Sequence, residues 1–156
     1  MDIFKIATLV SPFVSASLVG LLTYYFTIKT KKFNVLYLNK LTAFKEITNK
    51  LTGFKNFCNG RIAFLQGNEF APFYEKNIGT LYYRTEIANI SELNSIFLSK
   101  KGQQVIEDLI NRMSTLCTAE LAIVQNDKEL NIIGLYENLL NQTENCIRNL
   151  YLEINL

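Results

Sequence analysis

Residues 6–28 read IATLVSPFVSASLVGLLTYYFTI, an apolar run without a charged side chain. As an α-helix this run extends about 34 Å, enough to cross a hydrocarbon core of about 30 Å. A cleaved signal peptide is the alternative, because Lys5 precedes the run and Ser15-Ala16-Ser17 resembles a cleavage site. The apolar run continues for about eleven residues past that site, which is too long for a signal peptide. The sequence therefore predicts an uncleaved transmembrane anchor over residues 1–28.

The lysines that flank the run predict its orientation. Lys29, Lys31 and Lys32 follow it directly, whereas Lys5 on the other side is offset by Asp2. Cytoplasmic segments next to membrane helices carry an excess of Lys and Arg. We therefore expect a single-pass protein with its N-terminus outside and residues 29–156 forming a cytoplasmic domain.

Small and hydroxyl-bearing residues recur within the anchor, several of them four positions apart. The members of this set are Ala7, Thr8, Ser11, Ser15, Ala16 and Gly20. Small residues allow membrane helices to approach closely, so the pattern predicts a homo-oligomer, and the hydroxyls could line a pore. The alternative is that Ser and Thr are tolerated in any anchor because they bond to their own backbone.

Beyond the anchor, apolar residues keep the period of a helix from about residue 30 to 66. No proline separates this helix from the anchor, so the two are predicted to be continuous. Gly67 and Pro72 mark its end, because glycine favours a helix terminus and proline restricts the preceding residue.

Three further helices are predicted from apolar stripes, over about residues 80–100, 103–125 and 129–153. Lys100-Lys101-Gly102 is typical of a helix end and closes the second helix, and Asp127 can cap the last. The predicted fold is therefore all-α, with one transmembrane helix followed by a four-helix bundle and no second cytoplasmic domain.

The remaining composition argues against cofactor chemistry. The chain has no histidine, and its three cysteines, Cys58, Cys117 and Cys146, have no metal-binding spacing. They are interpreted as reduced, buried cysteines. We expect no metal, no small-molecule cofactor and no catalytic residue, since neither a phosphate-binding loop nor a nucleophile elbow is present.

Charge is divided along the chain. Residues 29–61 hold eight basic residues and one acid, a net charge of +7, whereas residues 62–156 hold seven basic residues and twelve acids, a net charge of −5. The basic part can meet anionic lipid, RNA or the acidic surface of another copy, or its lysines can simply be solvated. Aromatic residues at Phe70, Phe73 and Tyr74 either pack a loop onto the bundle or form a docking patch for a partner.

The string Arg148-Asn149-Leu150-Tyr151-Leu152-Glu153 resembles the R-N-x-x-x-H motif of HEPN domains, all-helical domains of prokaryotic defence ribonucleases. In that family the Arg and His of paired protomers form the RNA-cutting site. Here Glu153 occupies the histidine position, and a glutamate is ordinarily ionised at neutral pH. The resemblance implies that Arg148 binds phosphate, or pairs with Glu153 or with an acid of a neighbouring protomer.

An N-terminal membrane helix, a helical domain of this size and this C-terminal motif together resemble the small membrane accessory proteins of type VI-B CRISPR systems. That resemblance implies a HEPN-like bundle, a bacterial inner membrane, and an RNA-guided RNase or its RNA products as partner. It also implies an oligomer that enhances antiphage defence by permeabilising and depolarising the membrane.

Three functions are consistent with these features. The leading one is a non-enzymatic pore effector. The others are an anchored HEPN-type ribonuclease that depends on Arg148, and a tether that holds a cytosolic protein through Phe70, Phe73 and Tyr74.

Overall fold

The computed structural model describes residues 3–68, 78–124 and 131–154, with the backbone alone for residues 3–10 and 124. Its elements are four α-helices, α1 (Ile3–Leu65), α2 (Thr80–Leu93), α3 (Lys100–Val124) and α4 (Ile132–Ile154), and a 3-10 turn at Ser95–Phe97. These three ranges contain no strand, and the predicted all-α class is confirmed. The chain divides into two compact units, Met1–Asn39 and Lys40–Leu156.

The first unit consists of the N-terminal part of α1. The predicted anchor and the predicted first bundle helix both belong to α1. Large apolar side chains from Phe13 to Leu38 are exposed along it. Within the described residues, α1 is the one helix that is long and apolar enough to cross a membrane, and none of its apolar window is buried. By length and composition it is a candidate transmembrane helix.

The second unit is built around one hydrophobic core. The last part of α1 contributes Phe44, Ile47, Leu51, Phe54 and Cys58, whose three- and four-residue spacing places them on one helix face. The other helices and the connection before α3 close over that face with buried residues, which are Ile87, Leu98, Ile106, Leu109, Met113, Leu116, Tyr136, Leu139, Cys146 and Leu150. Four helical segments therefore share a single core.

The end of α1 confirms the role predicted for Gly67. Its backbone has φ +85°, a conformation that favours glycine, and its N–H donates to Phe64 O at 3.0 Å. The N–H of Asn68 donates to Ala63 O at the same distance. These bonds satisfy carbonyl groups that a helix end otherwise leaves free.

The boundary between the second and third helices differs from the sequence prediction. α2 ends at Leu93, and Asn94 donates from both its backbone N–H and its side-chain amide to Ile90 O, at 3.1 and 3.0 Å. Ser99 precedes α3 and accepts a hydrogen bond from the Gly102 N–H at 3.0 Å, the geometry of an N-cap. Lys100-Lys101-Gly102 therefore opens α3 instead of closing α2.

Candidate functional site

The C-terminal motif lies on the last turns of α4, and its arginine faces a shallow groove between α4 and α1. Arg148 is exposed and lines this groove with Lys55, Glu144 and Tyr151. Lys55 Nζ lies 2.7 Å from Glu144 Oε1. That hydrogen bond, with a smaller contribution from Arg148, holds the pKa of Glu144 below its usual range. Two cations, a carboxylate and a tyrosine thus share one groove.

Glu153 lies in a different groove and binds the start of α3. Its carboxylate accepts hydrogen bonds from Ser99 Oγ at 2.6 Å and from the Ser99 N–H at 3.3 Å. Lys40 Nζ donates to the main-chain carbonyl of Glu153 at 3.1 Å. A Cβ at Gly102 would lie 2.6 Å from Glu153 Oε1, so glycine permits this close approach.

Electrostatics explains why a carboxylate lies there. The first turn of a helix favours negative charge, because its free N–H groups form the positive end of the helix dipole. α3 has no acidic residue in its first turn and begins with Lys100 and Lys101. Glu153 supplies the missing negative charge from α4. Glu153 thus has a structural contact within the chain.

The chain does not bring the two ends of the motif into one groove. Arg148 and Glu153 are five residues apart, which separates them by about 140° around a helix. Asn149 lines the groove of Glu153, together with Lys40 and Ser99, whereas Arg148 lines the other. The geometry permits Arg148 to bind an anion, without Glu153 as its neighbour.

We expect the Glu153→Ala variant to lose about 0.5–2 kcal/mol of unfolding free energy, because α3 loses its N-terminal anion and Ser99 loses its acceptor. Urea unfolding followed by circular dichroism measures this loss. Glu137→Ala, an exposed acid earlier on α4, is the matched control and is expected to change the value by less than about 0.5 kcal/mol. Equal effects of both variants would show that the contact with Ser99 contributes nothing.

A second polar cluster lies at the other end of α3. Glu120 accepts hydrogen bonds from the Tyr136 hydroxyl and, at 2.7 Å, from Thr80 Oγ1. Arg61 Nε donates to the Tyr136 hydroxyl at 3.3 Å. Tyr136 and Thr80 are fully buried, and burial together with the bond to Glu120 raises the pKa of Tyr136. Tyr136 therefore remains a protonated donor.

Sequence reasoning missed this cluster, although one signal was present. Glu120 interrupts the apolar stripe of α3 four residues after Leu116, at a position that periodicity assigns to the core. An acid placed there needs partners, since an unpaired charge is costly to bury. Among the described side chains no buried polar atom lacks a hydrogen-bond partner.

The cysteines are structural. Cys58 and Cys146 are buried, and desolvation raises the pKa of both thiols, that of Cys146 to about 12. Cys117 is half-buried and its pKa is also raised, mainly by burial. A thiol with a raised pKa is a poor nucleophile. The described part of the chain contains no group of three or more His, Cys, Asp or Glu side chains that could hold a metal ion.

The predicted helix contacts of the anchor lie on the exposed surface of α1. Ser15 Oγ donates to Ser11 O at 2.9 Å and to Pro12 O at 3.1 Å, so its proton is used inside the helix. Ala16 and Gly20 are open, and a Cβ at Gly20 would meet nothing within 4 Å. The side chains of Ala7 and Thr8 lie outside the described residues.

The face of Ala16 and Gly20 continues further than sequence reasoning recognised. Thr23, Thr27 and Thr30 follow at steps of three and four residues and line one shallow groove. Residues at these steps lie above one another on a helix. The small and hydroxyl-bearing stripe therefore extends from Ala16 to the end of the apolar run.

The basic residues Lys29, Lys31 and Lys32 are exposed, and the apolar sequence resumes directly after them. Phe33 stacks on Tyr37 with ring centroids 6.2 Å apart, and both rings are exposed. Six large apolar side chains are uncovered in this short segment: Phe33, Val35, Leu36, Tyr37, Leu38 and Leu41. This is an unusual density of apolar surface beside a charged cluster.

Phe70, Phe73 and Tyr74 lie outside the described residues. The neighbouring aromatic Tyr83 packs onto the core, 5.7 Å from the ring of Phe54 and 5.2 Å from that of Phe57.

The geometry thus consists of an uncovered apolar helix with a small-residue stripe, a groove containing Arg148, and a bundle end organised by Glu153. Comparison of the chain with protein-family models, with curated proteins and with solved structures found no match.

Proposed function

We propose that the chain is a membrane-anchored effector whose copies assemble through the N-terminal part of α1 and permeabilise the membrane that holds them. The bundle of residues 40–154 lies in the cytoplasm, on the side favoured by the three lysines that follow the apolar run. The observation that supports this most directly is the run of exposed, uncovered apolar side chains from Phe13 to Leu38.

Water is a poor solvent for such a surface, and soluble domains rarely leave one uncovered. Lipid accounts for the stretch before Lys29, which is long enough to span the hydrocarbon core. Contact between copies accounts for the stripe of Ala16, Gly20, Thr23 and Thr27, because small residues permit close packing and threonine hydroxyls can face water or a neighbouring helix.

Assembly of several copies gives these hydroxyls a role in permeation. A ring of parallel helices that turns Ser11 and Ser15, or Thr23 and Thr27, toward its axis has polar groups at several depths of the membrane. The positive residues Lys29, Lys31 and Lys32 then form a ring at the cytoplasmic mouth, which favours the passage of anions.

The alternative of an anchored ribonuclease has less support. Its site needs an acid or base that can exchange a proton near neutral pH beside Arg148. Glu144, the acid in that groove, is paired with Lys55 and its pKa is lowered, and Glu153 is engaged with Ser99. The groove of Arg148, with Lys55 and Tyr151, is better suited to bind a phosphate-bearing partner than to cleave one. In antiphage defence, the RNA-guided RNase or its RNA products would act there as the signal that opens the pore.

The experiment is dye leakage from liposomes that contain the full-length chain. We expect leakage from the wild type when the RNA-guided RNase and its RNA products are present. Leakage should decrease at least tenfold when Ser11→Leu and Ser15→Leu, or Thr23→Leu and Thr27→Leu, are combined, because leucine removes the hydroxyls of one face. The face whose replacement stops leakage is the lining. Val14→Leu, in the same helix, is the matched control and should leave leakage unchanged.

Two results would contradict the proposal. One is a wild-type chain that inserts into liposomes without leakage under any condition that includes the RNase and its RNA products. The other is a monomer in detergent, measured by light scattering with correction for the micelle. All variants must first insert equally, as judged by resistance to alkaline extraction.

A further inference from the structure

Two side chains in the connection between α2 and α3 are more exposed than any other large apolar residue described in the Lys40–Leu156 unit. Leu93 is 79% exposed and Ile96 is 83% exposed. They lie three positions apart, Leu93 at the end of α2 and Ile96 in the 3-10 turn. Single exposed apolar residues are ordinary, whereas two strongly exposed ones this close in the sequence are a candidate contact surface.

The backbone that carries this pair is well fixed. Asn94 Nδ2 donates to Glu46 Oε2 of α1 at 3.3 Å, and Gln103 Nε2 of α3 donates to Ser95 O at 2.8 Å. Leu98 is buried in the core immediately after the turn. The outward direction of Leu93 and Ile96 is therefore imposed by contacts with α1 and α3, and their exposure is a property of the fold.

Two lysines accompany the pair at a position where the helix itself disfavours them. Lys100 and Lys101 form the first turn of α3, where the helix dipole repels positive charge. Both are exposed. Glu153 offsets their cost locally, but it does not explain why two cations stand there. An external anionic surface would explain the position of the two lysines.

The turn lies at the end of the bundle where the chain enters from the candidate membrane helix. Glu46, which binds Asn94, is close to the start of the unit, and Lys40, its first residue, binds Glu153, which in turn binds Ser99. Lys40 follows Ile28 by twelve positions, about 18 Å of α-helix. With residues 6–28 in the bilayer, this length sets an upper limit of about 18 Å on the distance between Ile28 and this end of the bundle.

We propose that the α2–α3 turn is a second membrane contact of this protein. Leu93 and Ile96 enter the interfacial region of the cytoplasmic leaflet, and Lys100 and Lys101 bind anionic lipid headgroups. Apolar side chains flanked by lysines are the combination that attaches surface segments to anionic membranes. The inference rests on the proposed anchor and adds a second site of contact with the bilayer.

The absence of tryptophan from the chain makes a direct test possible. Single-tryptophan variants of the full-length protein are reconstituted into vesicles of phosphatidylcholine and phosphatidylglycerol, and quenching by brominated lipids is measured. Ile96→Trp is the test variant. Leu121→Trp is the matched control, because Leu121 is 63% exposed and lies about 32 Å from Lys100 along α3. Leu22→Trp reports on the anchor.

We expect strong quenching of Leu22→Trp, quenching of Ile96→Trp at least threefold above that of Leu121→Trp, and a decrease of the Ile96→Trp signal when Lys100→Gln and Lys101→Gln are added. Quenching of Leu22→Trp alone would overturn this inference and leave the anchor intact. A blue-shifted Ile96→Trp emission without quenching would also overturn it, since protein and not lipid would then cover the turn. No quenching at Leu22 would remove the anchor and this inference together.

Discussion

Alanine in place of Phe54 is expected to lower the unfolding free energy of the Lys40–Leu156 unit by about 3–5 kcal/mol. Phe54 is fully buried and packs against Phe57 and Tyr83. Removal of its ring loses the transfer free energy of the buried carbon atoms and leaves a cavity that neighbouring helices fill only in part. The loss is a large fraction of the about 5–15 kcal/mol that stabilises a typical domain.

The buried thiols provide the measurement. Cys58 and Cys146 react with a thiol reagent only when the unit opens, so their labelling rates in full-length protein at increasing urea report the unfolding free energy. Leu81→Ala, an exposed residue of α2, is the matched control and should shift the value by less than about 1 kcal/mol. If both variants shift it equally, Phe54 does not lie in the core described here.

Stability is expected to decrease steeply above about pH 8.5, where unfolded thiols begin to ionise. In the folded protein, burial keeps Cys58 and Cys146 protonated, with the pKa of Cys146 raised to about 12. The unfolded state thus releases protons that the folded state retains, so alkaline pH favours unfolding, whereas below pH 8.5 this contribution is fully present. Each thiol lowers the unfolding free energy by about 1.4 kcal/mol per pH unit in this range.

A series of urea unfolding curves between pH 7 and pH 10, followed by circular dichroism, measures this dependence. The variant with Cys58→Ala and Cys146→Ala is expected to be less stable at pH 7 because it has two small cavities. Nevertheless, its unfolding free energy should decrease more slowly with rising pH than that of the wild type, and the difference in slope should be about 3 kcal/mol per pH unit. Identical slopes would indicate that the thiols are not protected from ionisation.

The helices were predictable from the sequence because the stripes of apolar residues are long and regular. The spacing of Phe44, Ile47, Leu51 and Phe54 alone defines the buried face of α1, and Gly67 marks its end through a backbone conformation that glycine prefers. Such signals are local, so a single sequence contains them.

The start of α3 was not predictable in this way. Lys100, Lys101 and Gly102 match a helix end, where lysines are favoured by the dipole and glycine by its flexibility. The deciding contact is Glu153, fifty-four residues away from Ser99 along the chain. The contact with Glu153 explains why Lys100-Lys101-Gly102 begins a helix, although this pattern is typical of a helix end. The same contact gives Glu153 a structural bond that a sequence motif alone does not reveal.

The interaction of Glu120 with Tyr136 and Thr80 was missed for a related reason. Each of the three residues is ordinary in its own helix, and only the packing of α2, α3 and α4 brings them together. Whether side chains of different helices meet depends on how each helix is rotated about its own axis, because a small rotation moves a side chain by a few ångströms. Apolar periodicity does not define that rotation closely enough.

The bond between Lys40 and Glu153 gives the bundle a particular mechanical character. It joins the first residue of the unit to the last turn of its last helix, so the two ends of the unit are neighbours. Tension applied through these ends would break this bond first and then separate the helices progressively, one contact after another. Units with ends at opposite poles are loaded in shear instead, and several contacts must break together. A pull on α1 would therefore reach the last turn of α4 before it disturbed the core.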